Sequence, residues 1–178
     1  GRLDGVEARL IDAERWLGAM ADTVVVDEED FHRLPGSVAM YRAAVALVRG
    51  NVADTMKYAR RTLDLAREDD HLLRGSASGL LALAYWTSGD LEAAQQWYTE
   101  CMTKLEMIGH ISDALGCSIA LADIRITQGH LRDAKSTYER GLQLATQGGS
   151  VLRGAADMHV GLSQLHYERD ELNAATQH

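Results

Sequence analysis

The sequence predicts an all-α fold, an α-α superhelix or solenoid of helical hairpins, and three observations carry that prediction. The first is ASGLLALAYWTSGDLEAA at residues 77–94, where Leu80, Leu81, Ala84 and Tyr85 recur at helical spacing. Ser88-Gly89 then breaks the pattern, and Asp90 is a capping residue for a second helix carrying Leu91 and Ala94. The second observation is repetition of that turn, as RGNVADT at 49–55, QGHLRDA at 128–134 and, in worn form, RDELNAA at 169–175. The apolar residues just past each break, Val52, Leu91, Leu131 and Leu172, fall 39, 40 and 41 residues apart. One helix pair therefore recurs about every 40 residues, which is the mark of a repeat array. The third is composition: one proline and one phenylalanine among 178 residues rich in alanine and leucine favour helix throughout.

In chain order, Leu3, Val6, Leu10, Ala13 and Leu17 step by threes and fours and mark one buried helical face, the end of a preceding repeat over residues 1–17. Residues 18–36 read as an irregular connection: Val24-Val25-Val26 is β-branched, Asp27-Glu28-Glu29-Asp30 is acidic and reads as a solvated loop and helix start, and Pro35 opposes a continuing helix. From Gly36 the pairs should be Ser37 to Val48 with Val52 to Ala66, Leu72 to Thr87 with Leu91 to Ile108, and Ile111 to Thr127 with Leu131 to Ala145. Val151 to Glu168 opens a fourth pair whose second helix starts at Leu172. Gly109, Gly148-Gly149 and Asp69-Asp70 punctuate the handovers between hairpins. The expectation is one repeat domain over 1–178, about three and a half repeats within 37–178, belonging to a larger protein.

Packing explains the repeat. Small residues stand seven places before the turn residue (Ala43, Ala82, Ala122, Ser163) and five places after it (Thr55, Ala94, Ala134, Ala175), where paired helices must approach closely. Leu81, Leu121 and Leu162 fill the adjacent layer, and Tyr98 and Tyr138 recur as larger spacers. The first repeat departs, with Arg42 and Ala59 at those places, and is expected to pack differently against the long connection.

Composition also restricts function. With 46% hydrophobic and 25% charged residues the chain is expected to fold. A net charge of −8 without a Lys/Arg cluster gives no footprint for phosphate backbones, so direct nucleic-acid binding by this segment is not expected. No apolar run approaches the ~18 residues of a spanning helix. Cys101 and Cys117 lack metal-type spacing and read as reduced, buried small residues of a cytoplasmic protein.

The series Ala82, Tyr85, Gly89-Asp90, Ala94 and Tyr98 resembles the tetratricopeptide (TPR) pattern of small residue, aromatic, Gly-Asp turn, small residue, aromatic. The period is longer than the ~34 residues usual there and the late proline is missing. That longer period, with LAREDDHLLRGSASGLLALAYWTSGDLEAAQQWY and GCSIALADIRITQGHLRDA, resembles the helical sensor region of large ATP-dependent LuxR-type transcription regulators, the class containing the maltose-system activator. The resemblance implies a segment between a nucleotide-binding switch and a helix-turn-helix, receiving a small-molecule inducer or a regulatory protein. The chain contains no G-x-x-x-x-G-K-[ST] loop and no basic recognition helix, so ATP hydrolysis and DNA binding would belong to the parent protein.

By the same resemblance, first-helix positions six and three places before the turn residue line a concave groove. They are Ala44, Leu83, Asp123 and Gln164, then Leu47, Trp86, Ile126 and Tyr167. Trp86, Asp123, Ile126, Gln164 and Tyr167 are the candidate ligand or partner residues, the aromatics as rigid anchors and the polar pair as orienting groups; packing between repeats is the competing role for the aromatics. His159 and His166 share a helical face seven residues apart, but neither a one-turn spacing nor a third ligand marks a metal site. His110 and Asp113 have no nucleophile at a useful spacing, and no catalytic constellation is present. The expectation is a non-enzymatic sensing or protein-interaction segment of a cytoplasmic LuxR-type regulator, without cofactor or membrane association and with self-association left open; the rival is a free-standing TPR scaffold docking a protein partner.

Overall fold

The computed structural model describes residues 4–18, 27–147, 152 and 154–178, and among these it contains nine α-helices and no strand. They are α1 (Asp4–Gly18), α2 (Glu28–Val48), α3 (Val52–Leu65), α4 (His71–Ser88), α5 (Leu91–Met107), α6 (Ile111–Thr127), α7 (Leu131–Thr146), α8 (Ala155–Glu168) and α9 (Leu172–Ala175). The chain divides into two compact units, residues 1–94 and 95–178.

Each hairpin turn closes in the same way. Gly89 adopts a left-handed conformation (φ 84°), its N–H donates to the Trp86 carbonyl, and the Asp90 N–H reaches back to Tyr85, both at 3.0 Å. This six-to-one closure satisfies carbonyls that the end of α4 would otherwise leave bare. It recurs as Asn51 to Ala46 (2.9 Å), His130 to Arg125 (2.8 Å) and Glu171 to His166 (2.9 Å). In the worn turn Asp170 takes the left-handed conformation itself (φ 58°).

Helix starts differ between the units. Asp27, Asn51, Asp70 and Asp90 accept hydrogen bonds from the N–H groups of Asp30, Asp54, Leu73 and Ala93 at 3.0–3.1 Å. Their counterparts His110, His130, Gly154 and Glu171 make no side-chain cap bond.

Residues 28–36, expected within an irregular connection, are helical, and Pro35 lies inside α2. Asp27 and the acidic first turn supply the start, with carboxylates placed favourably at the positive end of the helix. An interior proline deletes one hydrogen bond and crowds the preceding turn, a cost of about 3 kcal/mol in an unsupported helix. Outside support offsets it here. Arg33 donates twice to the Asp70 carboxylate (2.8 and 3.1 Å), and Leu34 packs on the cluster of Leu10, Val38 and Val45. Residues 24–26 and the pair Gly148-Gly149 lie outside the described residues, as do Leu3 and Val151.

The departure of the first repeat has a different cause from the one expected. Arg42 faces α1 instead of a connection. Its guanidinium bonds both Glu14 oxygens (3.0 and 2.8 Å) and Glu7, while Arg49 adds a second contact to Glu7 at 3.0 Å. Hydrogen bonding to Arg42 holds both carboxyls below their ordinary range. The stripe Val6, Leu10, Ala13 and Leu17 completes this docking face.

The close helix crossings fall on the expected small residues. Ala43, Thr55, Ala82, Ala94, Ala122 and Ala134 are fully buried, whereas Ser163 and Ala175 of the last hairpin are half-buried. Thr55 turns its hydroxyl back onto the Asn51 carbonyl (2.8 Å), so a polar residue fits a crossing without an unmet hydrogen bond. In the second unit Leu115, Tyr138, Met158, Leu162 and Leu165 form the core. A Cβ on Gly161 would fall inside the Tyr138 ring, so this mid-helix glycine is required by the spacer tyrosine.

Candidate functional site

In the first unit, α2 and α4 are the first helices of successive hairpins and lie in contact. Between them is an open cleft of about 480 Å³, with Arg33, Ser37 and Tyr41 along α2 and Asp70, Leu72 and Ser76 along α4. Asp70 has two tasks at one end: its carboxylate, 7% exposed, caps α4 and receives the Arg33 guanidinium. Asp70 thereby holds Arg33 protonated and pins the start of α2 to the start of α4. Both helices also contribute apolar lining open to solvent, with Tyr41 of α2 53% and Leu72 of α4 42% exposed. Further along α4, Leu83 and Trp86 are each 37% exposed, Trp86 one turn before the left-handed Gly89.

The remaining sequence-derived candidates lie in the second unit, on α6 and α8. Tyr167 is 68% exposed, and Gln164 is also exposed. Asp123 is exposed yet engaged, because the Tyr138 hydroxyl donates to it at 3.3 Å. Burial foremost, and then this carboxylate, push the Tyr138 phenol up to about 12. Ile126 is half-buried and packs on the cluster of Leu162 and Leu165, so it builds the floor between α6 and α8 more than a surface.

Sequence reasoning missed Arg33, Tyr41 and Leu72. Tyr41 stands three places before the groove position Ala44, the usual spacing of neighbours on one helix face, and this signal was available. Arg33 was hidden inside the supposed connection. A second cleft of about 220 Å³ between α5, α6 and α7 was also missed. Its charged groups engage one another or the backbone: Arg140 donates to Glu106 at 2.6 Å, and Arg125 bonds the Thr137 hydroxyl and the Asp133 carbonyl.

His159 and His166 meet His178 and Glu171. His166 is buried, with Nδ1 2.5 Å from Glu171, and its ring stacks on His178; His159 is half-buried, with Nδ1 3.1 Å from that of His178. Among the described residues no group of three or more His, Cys, Asp or Glu side chains is arranged to hold a metal ion. No helix among them is long and apolar enough to cross a membrane.

Residues 36–178, which hold the hairpins described above, match the family model described as the MalT-like TPR region. The chain belongs to this family. The match of the MalT-like TPR region begins at Gly36, directly after Pro35, so α1 and the first two turns of α2 precede it. Arg42, which lies within the matched residues, is what ties α1 to them. No curated protein matches the chain.

Proposed function

We propose that this MalT-like TPR region is the effector-sensing or partner-binding segment of a cytoplasmic LuxR-type ATP-dependent transcription regulator, and that the exposed face of its first helices receives the effector. The observation that carries the reading is the set of large apolar side chains exposed in the first unit, Tyr41 and Leu72 at the α2–α4 cleft with Leu83 and Trp86 further along α4. Aromatic anchors beside polar groups, such as Arg33 and Asp70 at the end of the α2–α4 cleft, suit a small-molecule inducer or a segment of a regulatory protein. The mechanism is differential binding: an effector that favours one arrangement of the hairpins shifts the population, and attached domains read the shift. Trp86, Gln164 and Tyr167 serve as contacts in this reading, Asp123 orients through its tyrosine partner, and Ile126 supports the floor.

A free-standing scaffold is the second reading, favoured by the apolar run along α4, which suits a docked helical segment. The full reading frame separates the two: a nucleotide-binding loop upstream and a helix-turn-helix downstream belong only to the regulator. The site itself is tested by screening candidate inducers and regulatory proteins by calorimetric titration, then repeating the titration with Trp86→Ala and Tyr41→Ala. Loss of about 2–4 kcal/mol of binding in Trp86→Ala, with little change in melting temperature, is the expected result. Unchanged affinity together with a large loss of stability would return Trp86 to a packing role.

A further inference from the structure

We propose that Cys101 and Cys117 form an oxidative modification site, a reversible disulfide that fastens α5 to α6 when the protein meets a peroxide. The two sulfurs lie 3.4 Å apart, on facing helices joined through the turn at Gly109. A disulfide needs about 2.0 Å, so the two sulfurs have about 1.4 Å to close. Leu105, Ala114 and Ile108 pack around the pair and hold the helices at this separation. The two thiols are not equivalent. Cys117 is partly open to solvent and Cys101 is buried. A hydrogen bond from the Cys101 thiol holds the Cys117 thiol below its ordinary range, against the opposing effects of burial and Asp113. Cys117 is therefore the attacking sulfur and Cys101 the resolving one.

The chemistry balances with hydrogen peroxide as oxidant. The Cys117 thiolate attacks one peroxide oxygen, the O–O bond breaks, and the displaced hydroxide takes a proton to leave as water, giving a sulfenic acid. The Cys101 sulfur, losing its proton, then attacks the Cys117 sulfur; the S–S bond forms, the S–O bond breaks and a second water departs. Two thiols lose two electrons and two protons, and the peroxide is reduced to two waters. The product joins the second helix of one hairpin to the first helix of the next, and it makes the α5–α6 crossing sensitive to oxidant independently of any effector.

The test is hydrogen peroxide treatment of the whole chain, alkylation of remaining thiols, and peptide mapping by mass spectrometry. The chain has only 2 cysteines, so the result is unambiguous. Both thiols should disappear together, and a Cys101–Cys117 linked peptide should appear at a rate independent of protein concentration. Dithiothreitol should restore both thiols. In Cys101→Ala, dimedone should trap a sulfenic acid on Cys117 and no linked peptide should form. Thiol loss without the linked peptide, linkage only between chains, or a sulfenic acid that accumulates on Cys117 in the unaltered chain would overturn the proposal. None of these outcomes in the unaltered chain depends on a variant folding.

Discussion

Gly161 and Gly116 are both glycines inside helices, and side by side they separate two roles for that residue. Mid-helix glycine costs up to about 1 kcal/mol relative to alanine, so each position needs a compensating reason. At Gly161 the reason is the Tyr138 ring, which occupies the space a Cβ would take; at Gly116 nothing lies within 4 Å. Gly161→Ala should therefore lower stability by about 1–2 kcal/mol after the gain in helix propensity is counted. Gly116→Ala should raise it by up to about 1 kcal/mol. Opposite shifts in melting temperature by calorimetry are the expected outcome. Equal shifts would mean that Tyr138 does not require the glycine.

Among the elements, α1 is held by charge as well as by its apolar stripe. Arg42 binds Glu7 and Glu14 together, and both carboxyls titrate below their ordinary value of 4.5. Groups whose folded values are depressed stabilise fully above the unfolded value, and that stabilisation is lost as pH falls through the folded values. The contribution of Arg42 to α1 docking should thus be intact above about pH 4.5 and fade on acidification below it. Amide exchange of α1 should accelerate in that window in the unaltered chain, and Arg42→Ala should show fast exchange at neutral pH as well. An α1 that stays protected in both cases would leave the ion pairs without a docking role. This element also marks how far sequence reasoning reached. Turns and helix ends from α3 to α7 fell within a residue or two of expectation, because glycine turns and caps are local chemistry. The helix start at Asp27 was readable as local chemistry, but the continuation of the helix through Pro35 was not, because its support comes from Asp70 and Leu10, far along the chain in either direction. Arg42 looked like a broken leucine position until its two carboxylate partners, 28 and 35 residues away, were in place.

For the molecule as a whole, the net charge of −8 and the absence of a basic stripe set the expectation for nucleic acid. The chain should show no binding to mixed-sequence duplex DNA by fluorescence anisotropy at physiological salt, and submicromolar, salt-sensitive binding would contradict this. The repeat spacing named Trp86 and Tyr167 as corresponding positions, and each is exposed in its own unit. The cleft holding Arg33, Tyr41 and Leu72 was not readable, because it exists only where α2 meets α4, and its entrance is built from the segment that looked irregular. Repetition in sequence thus revealed positions, whereas the pairing of non-identical neighbours created the concavity.

The uneven capping of helix starts has a practical consequence for anyone needing a hardier version of this protein. Asn51 shows the remedy already in use: its amide oxygen takes the Asp54 N–H at 3.0 Å while its amide nitrogen donates to the Asp54 carboxylate at 2.7 Å. His130 occupies the same place before the second helix of its hairpin and His110 the N-cap place before α6, each followed three residues later by an aspartate, Asp133 and Asp113. Two changes, His110→Asn and His130→Asn, copy the Asn51–Asp54 arrangement at exposed positions outside the core, the first of them in place of the 3.4 Å contact between His110 and Asp113. Each should add about 1 kcal/mol. Combined, they should lift the midpoint of heat inactivation by about 4–8 °C, if inactivation follows unfolding. A double variant that inactivates at the same temperature as the parent would show that these helix starts do not limit its lifetime when heated.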